Sequence, residues 1–174
     1  MDIKSTLQAI TERIGVSGDE FSASRAAAEL LGQYADNVEI DAFGNVTGIV
    51  RSRRENAKTL MLDAHIDQVG YIVTCINEQG FLNVGACGSP DVKTLSAQSV
   101  TVHGKKDVHG VISTLPPHVQ KGNSAPEIGD ISVDLGMSKR EVEEIVSLVD
   151  RVTVDSAFRE LCGGIVSAPA IDDR

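Results

Sequence analysis

From residue 71 to residue 154 the chain reads as a series of short β-like runs, and that block limits the fold more than any other feature. The runs fall at 71–76, 80–84, 99–102, 108–113, 131–133 and 151–154, with Gly, Pro, Asn and Asp between them. Closely spaced short strands punctuated in this way predict a small β-barrel or sandwich. One helix interrupts the block. Ser138-Lys139-Arg140-Glu141 is a capping box, followed by an apolar face of Val142, Ile145, Val146 and Leu148.

The segments on either side have another character. Ile3, Leu7, Ile10 and Ile14 recur at helical spacing and predict an amphipathic helix over 3–14. Gly15 to Gly18 breaks it, and Ser17 or Asp19 is placed to cap a second helix reaching about Tyr34. The Ala26-Ala27-Ala28 run permits that helix to pack closely on a sheet. Residues 38–41 and 45–50 flank Phe43-Gly44 and read as a hairpin. Residues 59–64 are apolar apart from Asp63 and predict a strand buried on both faces. After Cys162-Gly163-Gly164 the chain returns to an apolar pair, Ile165-Val166. The simplest organisation is a discontinuous α/β domain, 1–70 and 164–174, with a β-rich domain inserted at 71–163.

Composition removes several classes of function. A net charge of −9 and a pI near 4.8, with no basic helix face, argue against nucleic acid. Aromatic residues are only 3% of the chain and Trp is absent, so base-stacking platforms are not expected either. No apolar stretch approaches the ~20 residues that a membrane-spanning helix needs. Met1-Asp2-Ile3-Lys4 is followed by no apolar core of a signal peptide. Cys75, Cys87 and Cys162 are odd in number and lack CxxC spacing, which predicts reduced, packed thiols and a cytoplasmic location.

Two short motifs carry the chemistry. His65-Ile66-Asp67 follows the apolar Leu60-Met61-Leu62, and Asp172-Asp173-Arg174 comes last. A histidine two residues before an aspartate suits a divalent metal, because one ring nitrogen ligates while a carboxylate holds the other N–H and fixes the tautomer. A later acidic pair can supply a carboxylate that bridges two ions. If His65 and Asp172 both end neighbouring strands of one α/β sheet, they are expected to lie close together beyond its carboxyl edge. His103, His109 and His118 lie in the β-rich block, far in sequence from these motifs, and are predicted to be surface or packing residues. His118 follows Pro116-Pro117 and is expected to shape a turn. Glu141, Glu143 and Glu144 read as a solvated helix face, and residues 93–98 either as a plain loop or as a segment that reaches towards a cleft, of this chain or of a neighbouring subunit.

With these motifs in order, the chain resembles the M42 family of metallo-aminopeptidases, over essentially its whole length. The resemblance rests on Gly15-Val16-Ser17-Gly18-Asp19-Glu20, Phe43-Gly44-Asn45-Val46 and Ala64-His65-Ile66-Asp67-Gln68-Val69-Gly70. It continues through Lys93-Thr94-Leu95-Ser96-Ala97-Gln98, Pro116-Pro117-His118-Val119-Gln120-Lys121, Val133-Asp134-Leu135-Gly136 with Ser138-Lys139, and Ile171-Asp172-Asp173-Arg174. It implies a partial α/β/α zinc-peptidase-like domain with an inserted β-barrel that serves as lid and dimerisation unit.

The resemblance also implies a site. His65 would ligate one of two divalent ions, zinc or cobalt, and Asp172 would bridge both. Asp67, the candidate catalytic carboxylate, would buttress His65, with Asp173 behind the ligands. Pro169 departs from the family, many of whose members have Lys at that place. A Glu-Glu pair that includes the general base, a further Asp and a second His are implied beyond Arg174, so the 174 residues alone are expected to show no turnover. Peptide substrates and a homo-oligomer, from dimer to dodecamer, are implied as well. The alternatives are a non-catalytic assembly module, or the endoglucanase label that some members carry.

Overall fold

A computed structural model describes residues 2–114 and 126–171. They form two compact units: the residues through Gln68 together with those from Ser156 onward, and Val69–Asp155. Residues 156–163, grouped by sequence with the insert, thus cluster with the first unit.

In the first unit, α1 (Ile3–Thr11) starts at Asp2, whose carboxylate accepts from the Lys4 amide at 3.2 Å and so satisfies one of the amides left over at a helix start. The second helix, α2 (Phe21–Leu31), begins later than its sequence suggests. Its N-cap is Glu20, and neither Ser17 nor Asp19 caps it. Ala23, Ser24 and Ala26 form its buried face, and their small side chains allow close approach. Ser24 uses its buried hydroxyl to donate to the Gly44 carbonyl at 2.7 Å.

That carbonyl belongs to the turn of the hairpin β1 (Asn37–Ile40) and β2 (Val46–Ile49), in which Asn37 faces Ile49 and Ile40 faces Val46. Asp41 organises the turn. One of its oxygens accepts from the amides of Phe43 at 2.8 Å and Asn45 at 2.9 Å, and Gly44 takes the left-handed φ of 89° that closes it.

Residues 59–64 do not form the buried strand that their composition predicts. They belong to no strand or bridge among the described residues, and Leu60, Met61 and Leu62 are 80–88% exposed. Apolar patterning identifies a strand that wants cover, whereas a strand exists only when a neighbour takes its N–H and C=O groups.

Every strand of the second unit has two neighbours. β3 (Gly70–Ile76), β4 (Leu82–Cys87), β5 (Ser99–His103), β6 (Asp107–Thr114), β7 (Ile131–Asp134) and β8 (Arg151–Val154) close a barrel in the order β3-β4-β7-β6-β5-β8. Closure removes the exposed edges of an open sheet. All its paired strands are antiparallel, so successive side chains alternate in and out; along β6, Val108, Gly110 and Ile112 are buried between exposed neighbours. Val73, Leu82, Val100, Val102, Ile112, Val133 and Val152 fill the interior.

α3 (Lys139–Ile145) covers this core with Val142, and Val146, just past its end, packs into the same core. Its capping box forms as expected, with Ser138 donating to Glu141 from its amide at 2.9 Å and its hydroxyl at 2.6 Å. The helix stops at Ile145, and Val146 is already extended, so Leu148 leaves the apolar face and is half exposed. The three cysteines are unpaired; Cys75 and Cys162 are exposed rather than packed. A last pair, β9 (Arg159–Glu160) and β10 (Val166–Ser167), returns the chain to the first unit.

Candidate metal-binding site

The HxD segment is held by the loop between α1 and α2. Val16, fully buried, forms a parallel bridge with Gln68, and the Gln68 amide donates to the Gly15 carbonyl at 2.7 Å. The Asp19 amide bonds the Val16 carbonyl at 2.8 Å, and Gly18, at φ 84°, completes a tight turn. Residues 15–19 therefore present a fixed backbone edge on which 65–68 is registered.

On this edge the side chains follow one another. His65 Nδ1 lies 3.0 Å from Asp67 Oδ1, and the Ser17 hydroxyl donates to Asp67 Oδ2. Both oxygens of Asp67 are thus engaged. Ser17 above all, and then His65, hold the Asp67 carboxyl below the usual carboxylate range, outweighing the opposing effect of partial burial. An ionised Asp67 accepts the Nδ1 proton of His65 and so favours the tautomer with its lone pair on Nε2, the atom that would face a cation. Both side chains stay accessible, His65 at 45% and Asp67 at 40% exposure.

The donor set suits one ligand of a zinc-type ion, an imidazole with a carboxylate behind it. Among the described residues no group of three or more His, Cys, Asp or Glu side chains gathers around a common point. Asp172, with Asp173, lies outside the described residues, as do Pro116, Pro117 and His118. The expected approach of Asp172 to His65 is therefore not among the described contacts.

Of the described barrel histidines, His103 is largely covered and His109 is exposed on the surface. His103 bonds Asp107 and Thr153, each at 2.9 Å, and His109 contacts Thr101 at 3.1 Å. Lys93 sits in a single 3₁₀ turn, Val92–Thr94, capped by Asp91. Sequence reasoning missed Ser17, which it assigned to a helix cap. A serine between Gly15-Val16 and Gly18 was the available signal, since a tight turn there exposes its hydroxyl to whatever strand lies alongside.

The comparisons fit this arrangement. Residues 44–174 match the M42 glutamyl aminopeptidase family, and the chain belongs to it. It is 32% identical to a lysyl aminopeptidase of Pyrococcus furiosus, over 97% of this chain and 50% of that protein. Its fold matches an aminopeptidase from the archaeon Desulfurococcus kamchatkensis with a TM-score of 0.89 and 31% identity, covering 97% of this chain and 47% of that one. It matches the Pyrococcus horikoshii TET1 peptidase with a TM-score of 0.81 and 29% identity, covering 98% and 52%. The chain spans about half the length of the curated relatives it matches. No helix among the described residues is long and apolar enough to cross a membrane.

Proposed function

We propose that the protein is a two-metal aminopeptidase that removes residues from the N-termini of peptides, and that these residues supply one side of its site. In this reading His65 ligates one of two divalent ions, zinc or cobalt, Asp172 bridges both, and Asp67 fixes His65. The observation that carries it is the 3.0 Å contact between His65 Nδ1 and Asp67 in a chain of the M42 family. Two neighbouring ions, when bound, activate a shared water and polarise the scissile carbonyl. This chain's own share is to hold the Nδ1 proton on the Asp67 side, so that Nε2 is the basic atom of the ring, and to keep the ring from turning. The peptidase domain is proposed to be discontinuous around the inserted barrel, with boundaries at 1–70 and 164–174 in the sequence reading, while residues 156–163 cluster with the first unit.

The protein is further proposed to self-associate through the barrel, anywhere from dimer to dodecamer, and to reside in the cytoplasm. Support for assembly comes from its relatives: the P. horikoshii TET1 peptidase can form a tetrahedron or a large octahedral shell. The unpaired thiols suit a reducing compartment.

The test is hydrolysis of a panel of aminoacyl substrates by metal-depleted protein that carries both sides of the site, these 174 residues and the remaining ligands, with and without zinc or cobalt returned. Turnover should appear only with metal, and His65→Ala should abolish it. Hydrolysis that persists after metal removal, or in His65→Ala, would rule the reading out.

A further inference from the structure

Asp67 has two oxygens and two side-chain partners. Oδ1 faces His65 Nδ1 at 3.0 Å, and Oδ2 receives the Ser17 hydroxyl. A carboxylate held by His65 alone can rotate about its Cβ–Cγ bond, and each rotation releases the imidazole proton. A second donor on the opposite oxygen stops that rotation. Ser17 is well placed to be this donor because its backbone is itself fixed. Val16, beside it, is fully buried and bridges Gln68, the neighbour of Asp67, and the Gln68 amide bonds Gly15. The two segments are thus in register at the residues flanking the side-chain contact. A hydroxyl held half-buried against a carboxylate across 50 residues of sequence is a built contact rather than a local turn bond.

We infer that Ser17 is a positioning residue for His65: its hydroxyl locks the Asp67 carboxylate in the orientation that keeps the imidazole proton on Nδ1 and the lone pair on Nε2. The inference rests on the reading of His65 as a metal ligand, and extends that reading to a residue on a different element. Ser17 touches neither substrate nor metal; it acts through Asp67. Partners of this kind, one step removed from a ligand, typically change metal affinity by about 10–100-fold.

Two measurements test it on the whole chain. The first needs no metal. Long-range ¹H–¹⁵N spectra, recorded where the imidazole is neutral and assigned with His65→Ala, report which ring nitrogen carries the proton. The parent and Ser17→Thr should show His65 protonated on Nδ1, while Ser17→Ala should show a mixture with the Nε2-protonated form. The second is the affinity for zinc alone, by competition with a chromophoric chelator. Ser17→Ala should weaken binding about tenfold or more, and Ser17→Thr should restore it.

If Ser17→Ala keeps the Nδ1 tautomer, the inference is overturned, whatever happens to zinc. If the tautomer shifts but His65→Ala leaves zinc affinity unchanged, the positioning role stands and the metal reading fails. Thermal unfolding guards against a trivial result, because the Gly15–Gln68 link is made by backbone and should survive in Ser17→Ala.

Discussion

The barrel unit and the first unit of this chain are built from similar residues, yet they differ in how completely they satisfy themselves. Each barrel strand from β3 to β8 finds partners on both sides within Val69–Asp155, and Leu82, Val100, Val102 and Val152 are wholly buried. The first unit pairs its strands two by two, and it leaves Leu60, Met61 and Leu62 almost fully exposed. Apolar residues in a row therefore have opposite consequences in the two units. In the barrel they are the core; at 60–62 they are a surface of the described chain. Burial follows from the availability of a partner, not from hydropathy.

The sharpest way to break that comparison is to truncate one apolar side chain in each unit. Leu82→Ala removes a fully buried side chain from the barrel and should cost about 2–5 kcal/mol. Met61→Ala removes one that is 80% exposed and should change stability by no more than about 0.5 kcal/mol. Urea unfolding of the 174-residue chain compares them, read on separate transitions if the two units melt independently. A Met61→Ala cost equal to that of Leu82→Ala would mean that residues 60–62 are covered in solution.

Tyr71 sharpens the comparison through pH. It lies in the barrel core at 3% exposure, and burial pushes its phenol up to about 12 from an ordinary value of 10.0. The folded state keeps Tyr71 protonated at a pH where the unfolded chain ionises it. Its contribution is complete below pH 10 and is lost as pH rises through about 12. A tenfold change in a protonation equilibrium is worth about 1.4 kcal/mol, so the loss should approach roughly 2–3 kcal/mol in strong alkali. Tyr34, in the first unit, is 56% exposed. Tyrosinate absorbance should show a late step that Tyr71→Phe removes, and Tyr71→Phe should flatten the alkaline limb of the stability profile. An absorbance curve with no step near pH 12 would show that the barrel opens to water around residue 71.

What was legible in the sequence divides along the same line. The six β-like runs, the 138–141 capping box and the 38–50 hairpin were readable because each depends on residues nearby in the chain: turn glycines, alternation, a serine three residues before a glutamate. The strand at 59–64 was not, because its pattern records a need for cover that the described residues do not meet. Leu148 was misplaced because periodicity does not say where a helix ends. In the site, His65 with Asp67 was legible from a two-residue spacing. Ser17 was not, since its partner lies 50 residues away and the two are brought together by the Val16–Gln68 bridge and the Gln68–Gly15 hydrogen bond. A serine before a helical pattern reads as a cap, and tertiary register overrode that local signal.

Smaller than the effects at Leu82 and Tyr71 is the one expected at the cap of α3, where local reading and structure agree. Ser138 donates to the Glu141 carboxylate from both hydroxyl and amide, and these two bonds hold the Glu141 carboxyl below its ordinary range. Ser138→Ala should destabilise the barrel unit by about 1 kcal/mol at neutral pH, as loss of an N-cap typically does. The sign of the pH dependence follows from that lowering. A carboxyl depressed in the folded state stabilises it above the unfolded value and loses that contribution as pH falls through the folded value. The gap between parent and Ser138→Ala should therefore be widest at neutral pH and narrow on acidification, as Glu141 protonates and ceases to be a strong acceptor. Denaturant midpoints of the two proteins across the acid range measure it. A gap that stays constant from neutral to acid would show that the cap works through the Ser138 hydroxyl on the helix amides alone, with the charge on Glu141 adding nothing.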